Sequence, residues 1–350
     1  MINTLIVDDS ALVRDIIRDF LEAEGSFKII GEAADGEQAI QKILSLNPDL
    51  VTLDIEMPKK NGLEVLEAVM KENSVPIVVI TSLDTAKTAY EATVLGALEF
   101  YSKTIFTASL TPEKRREIYE TLKRISGVKA LKNNVLAESD LINPMQHSVS
   151  NSFTPPLRKR EVRAVLIASS TGGPKALTEF FLLLPGDFSV PIVIVQHNTS
   201  GFDESFAQWL DAYTDLKVKL AEEGDIPKAG TVYIAHTDKH LVFCQAGENG
   251  FCLAYNDDEP ENNQKPAADV LFRTAAGILK ESLVSVVLTG MGSDGALGTQ
   301  KVKEMGGLTL AQDEKSSLIY GMPKAAMETG CVDMVLPLNM IPAELVKIVK

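Results

Sequence analysis

The sequence predicts two α/β domains in tandem, each a parallel sheet wrapped by helices, with an irregular segment between them. Three observations carry this. Short Val/Ile/Leu-rich runs alternate with helical periods along two long stretches. Those runs lack polar alternation, as strands buried on both faces do. Between Lys129 and Arg160 both periodicities vanish into a stretch rich in Asn, Ser and Pro, the composition of a linker. The resulting division is residues 1–124, a linker over 125–160, and residues 161–350. A chain of 350 residues is also too long for one core of ordinary size.

In the first domain the predicted strands are 4–8 (TLIVD), 28–33 (KIIGEA), 50–54 (LVTLD), 76–82 (PIVVITS) and 98–103 (LEFYSK). A helix over 111–125 closes it, announced by Thr111-Pro112-Glu113 and by basic residues further on. The second domain is expected to be doubly wound. Its strands are RAVLIA, VPIVIVQ, TVYIAH, SLVSVVLTG and LTLAQ; its helices are KALTEFFLLL, FDESFAQWLDAY, AADVLFRTAAGIL, GALGTQKVKEM and MPKAAMET. HLVFCQAG and FCLAYND read as an inserted antiparallel hairpin.

Composition excludes several functions. The apolar share of 45% and charged share of 23% are those of a globular protein. A formal charge of −14 repels phosphate backbones and anionic lipid, so nucleic acid is not expected as a partner. No run approaches the roughly 18 apolar residues of a membrane span, and Met1 leads straight into a strand, so the expected location is the cytoplasm, without membrane insertion. The three cysteines, Cys244, Cys252 and Cys331, are expected as free thiols.

Asp8 and Asp9 end the first strand and Asp54 the third, so three carboxylates converge at one rim of the sheet. Two like charges about 4 Å apart repel by roughly 4 kcal/mol at an effective dielectric near 20. A Mg²⁺ ion, which takes hard oxygen ligands from one or two carboxylates, would relieve that. The Thr81 hydroxyl and the Lys103 cation, at the ends of the fourth and fifth strands, could hold a phosphoryl group on Asp54. The plainer alternative makes these acids helix caps and Lys103 a surface charge.

In the second domain a buried strand runs into Ser169-Ser170-Thr171-Gly172-Gly173-Pro174 and a helix. A-x-S-x-G around Ser170 imitates a nucleophile elbow, with Ala168 and Gly172 small enough for the turn, which favours Ser170 over Ser169. A plain glycine turn and a phosphate loop remain open on that motif alone, although the lysine of a P-loop is missing. His197 follows the next strand, and Asp294 lies in the glycine-dense loop Thr289-Gly290-Met291-Gly292-Ser293-Asp294-Gly295. Serine, histidine and aspartate at three carboxyl ends of one sheet point to a nucleophile, a base and an orienting acid, with a peptide N–H near Met291 as oxyanion donor. His236, His240, Cys244 and Cys252 are too loosely spaced to be read as a metal site.

The order Asp8-Asp9, Asp54 with Met57-Pro58 and Gly62, Thr81-Ser82 and Lys103 resembles the response-regulator receiver family, a flavodoxin-like fold. That resemblance implies Asp54 as phosphoacceptor, Asp8 and Asp9 as Mg²⁺ ligands, Thr81 and Lys103 as phosphoryl sensors and Phe100 as the switch aromatic. The blocks SSTGGP, VQHNTSGFDESFAQWLD, KPAADVLFRTAA, VVLTGMGSDGALG and YGMPKAAM resemble the catalytic domain of the chemotaxis protein-glutamate methylesterases. This implies ester hydrolysis at methylated glutamates of chemoreceptor cytoplasmic domains, in some members deamidation of receptor glutamines, with a chemotaxis histidine kinase as phosphodonor. It assigns Ser170, His197 and Asp294 to the triad and Met291 to the oxyanion donor, and implies no cofactor for the esterase. Thr104, Ala168, Asn198-Thr199-Ser200 and Lys265 depart from the family's usual residues. Two rival readings are a DNA-binding output domain and a non-catalytic receptor-binding adaptor.

Overall fold

In the first domain four strands end at the polar residues that matter, so sheet order decides which of them meet. The structure, a computed structural model, describes residues 1–72, 75–82, 86–107, 110–128, 161–247 and 250–349. Strands β1 (Ile2–Val7), β2 (Phe27–Ala33), β3 (Leu50–Leu53), β4 (Ile77–Thr81) and β5 (Glu99–Ser102) alternate with helices α1 (Ala11–Glu22), α2 (Gly36–Leu46), α3 (Gly62–Glu72), α4 (Ala86–Leu95), α5 (Thr104–Thr107) and α6 (Pro112–Ser126). The strands pair in parallel in the order β2-β1-β3-β4-β5. β1 is thus the switch point, and the residues after β1 and β3 share the crevice at its carboxyl end. Thr111 caps α6, its hydroxyl accepting the Lys114 N–H at 3.2 Å, with Pro112 in the first turn, as the sequence signal requires.

The second sheet has seven parallel strands: β6 (Ala164–Ser169), β7 (Ile192–Gln196), β8 (Lys217–Leu220), β9 (Thr231–Ile234), β12 (Leu283–Val287), β13 (Leu308–Gln312) and β14 (Met334–Leu336). Between β9 and β12 lies the hairpin β10 (His240–Ala246) and β11 (Gly250–Asn256). The helices are α7 (Gly173–Phe181), α8 (Asp203–Asp211), α9 (Ala268–Leu279), α10 (Ala296–Glu304), α11 (Met322–Glu328) and α12 (Ile341–Val349). The order β14-β13-β12-β6-β7-β9-β8 makes β6 the second switch point, flanked by β12 and β7. β8, β14 and α12 were not expected. β8 and β14 are the two edge strands, four and three residues long, and KVKL reads as a polar alternation instead of a buried run.

The expectation of free thiols is overturned for two of the three cysteines. The hairpin register sets Cys244 directly opposite Cys252, Cα atoms 5.0 Å apart, and they form a disulfide. Spacing on either side of a turn brings such a pair together whatever the total count. Cys331 is free. Of the linker expected over 125–160, Ile125 and Ser126 still belong to α6, and residues 129–160 lie outside the described residues.

The two sheets meet through an aromatic cluster. Tyr90 of α4 packs on Trp209, Phe206 and Phe202, with ring centroids 5.3, 5.2 and 6.4 Å away, and Phe100 lies 5.2 Å from Phe202. The Tyr90 O–H donates to the Phe202 carbonyl at 3.3 Å. Tyr90 and Trp209 are buried by this contact.

Candidate active site and acidic pocket

Ser170, His197 and Asp294 follow β6, β7 and β12, which are three adjacent strands. His197 Nε2 lies 2.8 Å from Asp294 Oδ2, and both side chains are buried. His197 Nδ1, equally buried, has no hydrogen-bond partner among the described residues. Ser170, half-buried, lines the same cleft as His197, Met291 and Asp294, a space of about 790 Å³. Ser169 faces away from this chemistry, since its hydroxyl is buried and donates to Gln196 Oε1 at 2.7 Å.

The loops are held by contacts that only some residues permit. Ser170 N–H donates to the Thr289 carbonyl at 3.0 Å, tying the serine turn to the glycine loop. Gln196 Nε2 donates to the carbonyls of Ser170 (3.0 Å) and His197 (2.9 Å), locking those turns together. Gly172 adopts φ +75°, a left-handed conformation open to glycine, and a Cβ there would strike Leu318.

Asp294 is held by a cage of donors. Its Oδ2 accepts the Ala268 N–H at 2.6 Å; its Oδ1 accepts those of Asp269 (2.9 Å) and Gly295 (3.0 Å). Ala268 and Asp269 open α9, so the carboxylate sits at a helix N-terminus. Burial works against the charge, yet His197 and these N–H groups outweigh it and hold the Asp294 carboxyl below its ordinary range. Sequence reasoning missed Gln196, Asn262 and Asp269 here. Gln196 had a signal, being the polar residue that ends its strand directly before His197.

At the first switch point, Lys103 Nζ bridges Asp54 Oδ2 at 2.7 Å and Asp8 Oδ2 at 2.9 Å. Asp8 and Asp54 are buried and Asp9 exposed, and ligand oxygens of all three lie within 4.8 Å of one another. Burial raises the Asp54 carboxyl to about 6, against the pull of Lys103. Two buried acids served by one lysine, with a third at the rim, make a donor set that fits a hard divalent cation. Thr81 is buried at the end of β4, and the Lys103 N–H donates to its carbonyl at 2.8 Å. Phe100, also buried, packs against Tyr90 at 4.8 Å. Thr104, where the sequence departs from expectation, shares a 2.8 Å hydrogen bond with the Ser102 hydroxyl.

The four residues doubted as a metal site are otherwise engaged: the cysteines pair with each other, the His240 ring meets the Glu259 carbonyl and the Ala267 N–H, and His236 stacks edge-on against Tyr255. Lys265 is paired with Asp257 at 2.6 Å.

Compared with known proteins, residues 165–345 match the family model described as CheB methylesterase, and residues 4–113 that of the response regulator receiver domain. The chain belongs to the CheB methylesterase family. Relatives named protein-glutamate methylesterase/protein-glutamine glutaminase align along its whole length. The one from Pyrococcus horikoshii is 39% identical over 100% of this chain and 94% of its own length; that from Thermotoga maritima is 39% identical over 100% and 99%. The crystal structure of the Thermotoga maritima CheB methylesterase catalytic domain superposes with a TM-score of 0.52 at 42% identity, covering 53% of this chain and 98% of that one. The two matches put a receiver and a methylesterase domain in one polypeptide, as the motifs predict. Among the described residues, no helix is long and apolar enough to cross a membrane.

Proposed function

We propose that this chain is a phosphorylation-controlled serine esterase that hydrolyses glutamyl methyl esters on the cytoplasmic domains of chemoreceptors, with residues 1–124 as receiver, 125–160 as linker and 161–350 as catalytic domain. The observation that carries the reading is the buried His197–Asp294 pair beside Ser170, at the ends of three adjacent strands. His197 takes the Ser170 proton at Nδ1, the nitrogen that Asp294 leaves unused. The serine oxygen attacks the γ-carbonyl of the methylated glutamate, and the Met291 peptide N–H receives the developing oxyanion. The proton passes to the departing methanol; water then resolves the acyl-enzyme by the same base. A glutamine side chain would follow the same path with ammonia leaving, which fits the double name of the relatives.

Asp54 is the proposed phosphoacceptor, with a chemotaxis histidine kinase as donor, Thr81 and Lys103 as sensors and Phe100 as the switch aromatic. Mg²⁺ held by Asp8, Asp9 and Asp54 would offset the charge of the phosphoryl oxygens. The receiver covers the cleft: Leu110, Glu117 and Thr121 line it together with Ser170 and His197, and the Thr121 hydroxyl donates to Met291 Sδ at 3.1 Å. Phosphorylation would favour a less covered arrangement, and moving the balance from 1:99 to 99:1 takes about 5.5 kcal/mol. The cytoplasm, where both partners would be met, is the proposed location.

The test is methanol release from methylated receptor membranes, with and without a small phosphodonor. The parent chain should respond to the donor, Asp54→Asn should not, and Ser170→Ala should release none while keeping its fold. An active Ser170→Ala variant would remove the assignment.

A further inference from the structure

The turn Glu261-Asn262-Asn263-Gln264 reaches over the triad carboxylate from outside the three strands that supply the triad. Glu261 and Gln264 exchange backbone hydrogen bonds at 3.1 and 2.9 Å, and Asn262 and Asn263 between them have φ of +56° and +59°. Both central residues are therefore left-handed, a conformation asparagine tolerates better than most residues. Arg273 of α9 anchors the turn through two hydrogen bonds to Glu261, at 2.9 and 2.8 Å. From this exposed position the Asn262 side chain extends inward, its Nδ2 donating to Asp269 Oδ2 at 2.8 Å and to Asp294 Oδ1 at 3.3 Å.

Asp269 and Asp294 are both buried and each serves the other's helix. Asp294 accepts the first N–H groups of α9, while Asp269 Oδ1 accepts the Gly298 N–H of α10 at 2.6 Å. Two carboxylates so placed repel unless a donor stands between them, and the Asn262 NH₂ group has one hydrogen for each. Because carboxylate oxygens only accept, Asp269 dictates that the amide turns its nitrogen, and not its oxygen, toward Asp294.

We propose that Asn262 is a positioning residue for the esterase reaction: oriented by Asp269, its amide holds the Asp294 carboxylate so that Oδ2 stays on His197. This rests on the triad assigned above. The interaction acts on the orientation of the base and leaves receptor docking alone, so its loss falls on kcat and spares KM.

Three variants of the full-length, phosphodonor-treated chain test it, read by methanol release from methylated receptor membranes, by the rate of Ser170 labelling with a fluorophosphonate, and by thermal unfolding. Asn262→Ala should lower kcat and the labelling rate roughly 10- to 100-fold, the range seen when an orienting neighbour of a reacting group is removed. KM should stay within about twofold, and the unfolding midpoint should fall, because two buried carboxylates lose the donor between them. Asp269→Asn, equal in size, should also lose turnover because two NH₂ groups would face each other. The exchange Asn262→Asp with Asp269→Asn restores that hydrogen bond but aims a carboxylate at Asp294. It should leave kcat as low as in the single variants. Parent-like kcat in Asn262→Ala, or activity regained in the exchange, would overturn the proposal. Full labelling of Ser170→Ala would instead overturn the triad beneath it.

Discussion

The Nε2 atom of His197 lies 2.8 Å from Asp294 Oδ2, and the same oxygen accepts the Ala268 N–H at 2.6 Å. An amide at 294 cannot satisfy this cage. Whichever way it turned, its NH₂ would face either Ala268 N–H and His197 or the N–H groups of Asp269 and Gly295. Asp294→Asn should therefore lower kcat by about 10⁴, the cost of a misoriented base. It should also lower stability by about 1–3 kcal/mol for the unmatched buried donor. Methanol release and thermal denaturation measure both, and parent-like turnover would take Asp294 out of the reaction.

Most of this site was legible because the chemistry sits at strand ends and the strands announce themselves. Val165, Ile167, Ile192, Ile194 and Val286 are wholly buried or nearly so, so their runs lack polar alternation, and the residue after each run falls at the carboxyl rim. What escaped was whatever depends on register or on loops. Cys244 and Cys252 pair through hairpin register. Asn262 comes to Asp294 through a turn whose left-handed geometry leaves only two asparagines as its trace. β8 escaped because a sheet edge needs only one buried side chain in four, Val218.

Gly290 has no room for a side chain. A Cβ there would lie 2.8 Å from Ser170 Cβ and would also strike Met322 Sδ. Gly290→Ala should push the serine turn off its place, costing about 1–3 kcal/mol of stability as overpacking does, and lowering kcat more than 10-fold because small displacements of reacting groups are expensive. Gly277→Ala serves as control, since nothing lies within 4 Å of a Cβ there. Equal activity of the two variants would show that the packing at 290 does not govern Ser170.

Burial holds the Asp54 carboxyl at about 6, above its ordinary 3.8. A proton and a divalent cation compete for the same oxygens, so Mg²⁺ affinity should be constant well above pH 6 and fall as pH drops through it. For a single competing proton the slope approaches tenfold per pH unit. Titration calorimetry between pH 5 and 8 measures this, and Asp54→Asn should flatten the profile. An affinity independent of pH across that range would show that Asp54 does not carry the competing proton.

Tyr90 spends most of its ring contacts on the other domain: Trp209, Phe206 and Phe202 against Phe100 alone on its own side. Truncating a buried aromatic costs about 3–5 kcal/mol, comparable with the roughly 5.5 kcal/mol that would invert a 1:99 balance. Tyr90→Ala should therefore raise methanol release without phosphodonor several-fold and shrink the further gain that the donor brings. No change in the basal rate would mean that this cluster does not hold the cleft covered.

Glu99 gives the same contact a dependence on pH. Burial at the interface pushes its carboxyl from 4.5 up to about 7, despite the Phe100 N–H and the Thr171 hydroxyl that favour its charge. An acid whose value is raised in the closed arrangement favours that arrangement when protonated. The contribution is full below about 4.5, declines between 4.5 and 7, and is gone above 7. Lys114 and Glu117 also act on Glu99, with opposite signs, and Lys175 and Glu179 share a cavity with it. Trp209 is the only tryptophan and is buried against Tyr90, so its emission reports this contact. Raising pH from 5 to 8 should shift the emission toward the red, and Glu99→Gln should abolish the shift. Persistence of the full shift in Glu99→Gln would assign it to another group.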